Sequence, residues 1–149
     1  MTEVLFYQLQ RQPLEAVLPA LLERSLQRGW RCIVQAGSGE RVRSLDDVLW
    51  TYADDSFLPH GTEADDPAAQ PILLTTGDGN PNDARVRFLV DGAALPSAPQ
   101  AYERIVLLFD GNDADALQRA REDWKTVRGT GLTATFWQQN GDGRWEKRA

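Results

Sequence analysis

The chain has 149 residues, 42% of them hydrophobic, 26% charged and 9% aromatic, with five tryptophans; this excludes disorder over its length and supports a real core. The formal net charge of −6 disfavours wrapping of nucleic acid by bulk electrostatics. One cysteine (Cys32) and one histidine (His60) exclude an internal disulfide, multi-cysteine metal sites and histidine-pair mechanisms. No apolar run approaches the roughly 18–20 residues that span a bilayer, and Met1-Thr2-Glu3 lacks the basic start of an export signal. The expectation is a soluble, cytoplasmic protein of one domain covering residues 1–149, in a reducing compartment and without contact to a membrane.

In chain order, Glu3 to Leu9 is an apolar, β-favouring run that predicts a strand. Pro13 to Arg28 repeats Leu14, Val17, Leu18, Leu21, Leu22 and Leu26 at helical spacing, with Pro13 in the first turn and Gly29 as a stop. Pro19 falls inside that helix, where a missing N–H predicts a kink. Trp30 to Ala36 reads as a second strand and Arg41 to Trp50 as a second helix, with Val42, Leu45, Val48 and Leu49 inward. Residues 53–70 lack periodicity and predict a loop. Pro71 to Thr76 predicts a strand that ends in the turn cluster Gly77 to Asp83. Strands follow over Arg85 to Asp91 and Arg104 to Asp110, then a helix over Asp113 to Arg128. Leu132 to Gln139 predicts another strand, which Asn140-Gly141-Asp142-Gly143 could turn into a short one at Arg144 to Lys147. Alternating strands and helices predict a three-layer α/β fold: a mostly parallel twisted sheet, helices on both faces and antiparallel edges.

The chain assembles no catalytic set. Gly37-Ser38-Gly39 lies between a strand and a helix, where a phosphate cradle would sit, but position 42 is valine and no Lys-Ser/Thr pair follows. Asp78, Asn80 and Asn82 have calcium-loop spacing, yet Asp83 and Leu89 stand where glycine and glutamate are needed; this is a turn. His60 lies in a loop with no nucleophile placed beside it and reads as structural or as part of a protein contact. Cys32 reads as a small buried hydrophobe. Neighbouring carboxylates such as Asp46-Asp47 and Asp54-Asp55 do not converge on one face. Neither a cofactor nor a metal is expected.

Two features stand above this background. On the last helix, Leu117, Ala120, Trp124 and Val127 fall within an arc of about 80°, and Arg121, Lys125 and Arg128 form a basic stripe beside it. From Leu117 onward, seven basic residues face four acidic ones, leaving −9 on the first 116 residues. A basic row beside an apolar seam fits a peptide with carboxylates and an aromatic end, with Trp124 as a partly exposed wall. The second feature is Leu45-Asp46-Asp47-Val48-Leu49-Trp50 followed by Ser56-Phe57-Leu58-Pro59-His60, whose aromatic residues, if exposed, would mark a partner contact.

These blocks, with Phe6-Tyr7-Gln8-Leu9, Pro71-Ile72, Ala120-Arg121-Glu122 and Trp124-Lys125 followed by Arg128, make the chain resemble the chi subunit family of bacterial DNA polymerase III over nearly all of its length. The resemblance implies a nucleotide-binding-like topology without a phosphate loop and a non-catalytic adaptor in the clamp-loader assembly. It implies a site for the acidic C-terminal tail of single-stranded DNA-binding protein at Arg121, Trp124, Lys125 and Arg128. Trp124 stands where the family often has tyrosine, and Leu117 replaces a basic residue found in some relatives. It further implies a surface around Trp50, Phe57 and Leu58 for a psi subunit or a helicase-like protein, so that DNA is met only indirectly. The alternative from another class is a nucleotide-dependent enzyme using Gly37-Ser38-Gly39. Direct DNA binding through the basic helix is disfavoured by the acidic remainder.

Overall fold

The computed structural model describes residues 2–52 and 58–149. Among them, eight strands form one sheet: β1 (Glu3–Leu9), β2 (Cys32–Gln35), β3 (His60–Thr62), β4 (Ile72–Thr75), β5 (Val86–Leu89), β6 (Arg104–Asp110), β7 (Thr133–Gln139) and β8 (Trp145–Lys147). Their order is β3-β4-β2-β5-β6-β1-β7-β8, parallel throughout except for β8, which runs antiparallel to β7. The helices are α1 (Leu14–Gln27), α2 (Gly39–Thr51) and α3 (Ala114–Gly129). The three-layer α/β architecture read from the alternation of strands and helices is present.

Two apolar cores follow from the two-residue period of the strands. Leu5, Val34, Leu74, Phe88, Val106 and Leu108 face α1 and α2. Val4, Phe6, Ile33, Leu73, Ile105 and Leu107 face the other way, toward Val127 and Trp124 of α3. β1 lies between β6 and β7, in register from Glu3 against Arg104 and Thr133. Cys32 is fully buried, and that burial pushes its thiol up to about 12.

One difference from the sequence reading has a physical cause. The segment read as loop contains β3, a three-residue edge strand held by pairing of His60 with Ile72 and Thr62 with Leu74; so short a strand has no periodicity to read. As read from the sequence, helix α1 continues through Pro19. The β4–β5 and β5–β6 connections, read as turn and loop, contain only a turn cluster and a 3-10 turn at Pro99–Ala101.

What shapes those helix-free connections is Arg87 on β5, which is 0% exposed. Its Nε and Nη2 donate to Gln35 Oε1 at 3.0 and 2.7 Å. Nη1 donates to the Gly79 carbonyl at 2.9 Å and the Tyr102 hydroxyl at 2.8 Å, and Nη2 also donates to the Gly77 carbonyl. A buried guanidinium is tolerable only when its donors are occupied, and here neutral oxygens occupy them. Asn82, 1% exposed, extends the same turn by donating to the carbonyls of Cys32 and Gln70. The residues with calcium-loop spacing thus serve a turn. Arg87→Ala strands these acceptors and opens a cavity; we expect a loss of about 3 kcal/mol and a fall in Tm of roughly 10 °C in thermal unfolding.

Candidate functional site

The last helix opens with Asp113, whose carboxylate accepts from the Asp115 and Ala116 amides, and it closes at Thr130, whose hydroxyl donates to the Val127 carbonyl. Its buried stripe is Ala120 and Val127, with Leu117 and Trp124 half-buried. The Trp124 indole meets Phe6 edge-on, with centroids 5.2 Å apart at 67°. This contact fixes the rotation of α3 on the sheet.

With that stripe inward, Arg121, Lys125 and Arg128 point to solvent. Among the described residues, none of the three has a carboxylate within ion-pair distance. Arg128 lies over the indole, 5.9 Å from its centroid, and also sits in the last turn, where the helix dipole favours a cation. Half-buried Leu132, just before β7, and Ala134 and Phe136 within it belong to the same apolar cluster as Trp124. The sequence did not single out these three; their signal was the alternation of β7. The four predicted residues therefore come together on one helix edge, cations uncompensated and indole against the sheet. None of the four lines either of two hollows, of about 540 and 350 Å³, found among the described residues.

The second predicted surface divides. Trp50, at the end of α2, is 57% exposed. Leu58 is 2% exposed and belongs to the core, because its side chain packs with the α2 apolar stripe; it is not a surface residue. Phe57 lies outside the described residues. His60 organises this corner. Its Nδ1 donates to the Leu58 carbonyl at 2.6 Å, its ring lies 4.7 Å from that of Trp50, and its Nε2 faces Asp46 Oδ1 at 3.0 Å, outside hydrogen-bonding geometry. The side chain is fully enclosed, so it supports the exposed tryptophan instead of acting at the surface.

The larger hollow lies at the carboxyl ends of β1, β5 and β6. There the β1 crossover leaves through α1 toward β2, and the β6 crossover leaves through α3 toward β7. Such a switch point is where α/β folds usually bind ligands. Here the first β–α turn, Gln10 to Pro13, holds no glycine, and the walls mix Arg11, Arg41 and Arg119 with Glu15, Asp91 and Asp123. Arg41 is paired with Glu15 at 2.6 Å, which helps hold the Glu15 carboxyl low against its burial. Burial and Glu122 push Asp123 up, against the pull of Arg119. The Gly37-Ser38-Gly39 turn is also in use. A Cβ on Gly37 would stand 2.4 Å from the Asp91 carbonyl, and the Ser38 hydroxyl caps α2 by accepting from the Arg41 amide. This is a packing turn, not a phosphate cradle.

Fold and sites define a class: a three-layer, mostly parallel α/β protein whose switch point lacks phosphate-binding glycines and whose last helix carries an uncompensated basic edge. The family model described as DNA polymerase III chi subunit, HolC, matches residues 1–135. The chain belongs to the chi subunit family. A similar protein of Rickettsia prowazekii (strain Madrid E), described as a probable DNA polymerase III subunit chi, is 29% identical over 104 residues. That alignment covers 65% of this chain and 62% of the relative, under two thirds of either. The matched region includes α3 and ends inside β7, before β8.

The two kinds of residue on α3 separate by stability. In urea unfolding, Trp124→Ala is expected to cost about 2 kcal/mol through lost packing on Phe6. Arg121→Ala and Lys125→Ala are expected to stay within about 0.5 kcal/mol of the parent, because they leave solvent-exposed positions.

Proposed function

We propose that this chain is a non-catalytic accessory subunit of the DNA polymerase III holoenzyme in replication, linking the clamp-loader assembly to the acidic C-terminal tail of single-stranded DNA-binding protein. The observation that carries this reading is the row Arg121, Lys125 and Arg128, without carboxylate partners in a chain of net charge −6, bordering the half-buried Trp124. Three adjacent cations without carboxylate neighbours on an otherwise acidic protein suit an anionic partner.

The dimensions suit a short peptide end. Seven helical residues separate Arg121 from Arg128, roughly 10 Å along the axis, the reach of about three extended residues. Aspartates and a terminal carboxylate would accept charge-assisted bonds from the row. The terminal phenylalanine would lie against Trp124, Leu132 and Phe136. Such a contact falls below about 1,200 Å², with an affinity on the order of micromolar, roughly −8 kcal/mol. A second contact, to a psi subunit or a helicase-like protein, would centre on Trp50. The alternative of a nucleotide-dependent enzyme has against it the uses of Gly37 and Ser38 described above.

The test is a titration of a labelled acidic tail peptide ending in Asp-Pro-Phe, followed by anisotropy. Arg128→Ala is expected to weaken binding roughly tenfold or more while the protein stays folded, its melt lowered only slightly by loss of the contacts with the indole and the helix end. The parent affinity should fall as salt rises. An affinity indifferent to both would overturn the site, and a thermal shift with ATP or NAD would favour the enzyme instead.

A further inference from the structure

The smaller hollow, of about 350 Å³, lies on the other side of the sheet from α3. Its floor is Leu5, Val86, Phe88 and Val106, which point toward the α1 side. Its walls are Tyr7 and Trp30 together with Arg24, Arg28 and Arg104. Among the described residues no carboxylate lines it, although the chain has 22 acidic residues against 16 basic ones. Glu3 approaches one wall, its Oε1 3.6 Å from Arg104 Nε.

The cations converge on an indole. The Arg28 guanidinium carbon lies 5.1 Å from the Trp30 ring centroid and that of Arg104 lies 5.4 Å from it. Cations at the end of α1 are explained in part by the helix dipole. That does not account for Arg104, which arrives from β6, a different element. Both Arg104 and Arg24 also act on Tyr7, opposing the burial that pushes its hydroxyl up.

Beyond α1 on this face, the strands β1, β7 and β8 carry half-buried aromatic rings. Tyr7 lies 4.6 Å from Trp145 and 6.0 Å from Trp137, centroid to centroid. Exposed Lys147 is the cross-strand partner of Trp137 and so shares its face. Half-buried rings and cations thus lie on one sheet face from Trp30 to Lys147.

We propose that this surface binds single-stranded nucleic acid, with phosphates on Arg24, Arg28, Arg104 and Lys147 and bases against Trp30, Tyr7 and the β7–β8 tryptophans. A repeated planar and anionic unit suits a repeated ring and cation, whereas an acidic peptide end offers one aromatic residue at most. The surface is separate from the α3 edge, so the two readings stand or fall independently.

The full chain is titrated at low salt with an oligodeoxythymidylate of about 16 nucleotides, followed by tryptophan quenching and by anisotropy of a labelled strand. Binding with quenching is expected, with a log–log salt slope near −3, about −0.7 for each of four phosphates. The double variant Arg24→Glu/Arg28→Glu, with its melt checked, is expected to bind roughly tenfold more weakly, and Lys147→Glu several-fold more weakly, as an independent probe. The pair Arg121→Ala/Lys125→Ala is expected to bind as the parent does. Absence of binding at low salt overturns the proposal, as does equal binding by the α1 variant or loss through the α3 pair instead. Polyglutamate or a duplex of equal length binding as tightly as the single strand overturns it too, by showing a general anion site.

Discussion

The position of every cation on α3 depends on one contact, the Trp124 indole set edge-on against Phe6 in the middle of the sheet. Ala120 and Val127 bury on the same line, and the helix then has one rotation that hides all three. At that rotation, Ala116, Arg119 and Asp123 turn toward the switch-point hollow, while Arg121, Lys125 and Arg128 turn away from it. The strand beneath Trp124, β1, is central because β6 and β7 pair with it on either side in register. A helix edge that carries unpaired charge is therefore anchored to the most enclosed part of the fold, so its cations are presented on a rigid element.

A second constraint acts at the opposite end of the strands. Three of the parallel connections, β3–β4, β4–β5 and β5–β6, have no α-helix to cover their sheet face, and loops alone leave backbone carbonyls in need of donors. Arg87 supplies several such donors from one side chain, drawing Gly77, Gly79 and Tyr102 onto β5. The charge is held by neutral oxygens, with Gln35 of β2 as the principal one. The fold tolerates this because oxygens of Gln35, Gly77, Gly79 and Tyr102 occupy the guanidinium's donors.

The sequence carried the long elements well, because a buried stripe or a continuous apolar run imposes a period on the residues. β1, β6, α3 and the α3 stripe were all legible in this way. β3 was not, since its three residues are a strand only because β4 lies beside them. Arg87 left a trace that periodicity alone under-reads: Val86 and Phe88 face one core, so Arg87 must face the other with Leu89. The basic row was legible from the helical wheel, but the apolar step of Leu132 and Phe136 beside it needed the β1–β7 register. The Arg28–Trp30–Arg104 grouping could not be read, because residues from α1, its following turn and β6 meet only in three dimensions. The resemblance put Leu58 on a partner surface, yet its side chain belongs to the core cluster that holds Val42, Leu45 and Leu49 of α2.

The acidic remainder of the chain gives both basic surfaces their meaning, since like-charged surroundings repel nonspecific anions and leave local attraction to geometry. The most direct measurement of the account is a two-dimensional NMR titration of the isotopically labelled chain with the tail peptide. The account predicts that the Trp124 indole N–H and the amides around Arg121, Arg128 and Leu132 shift most and saturate together. The largest shifts at Trp50 or in the switch-point hollow, with α3 unmoved, would contradict it.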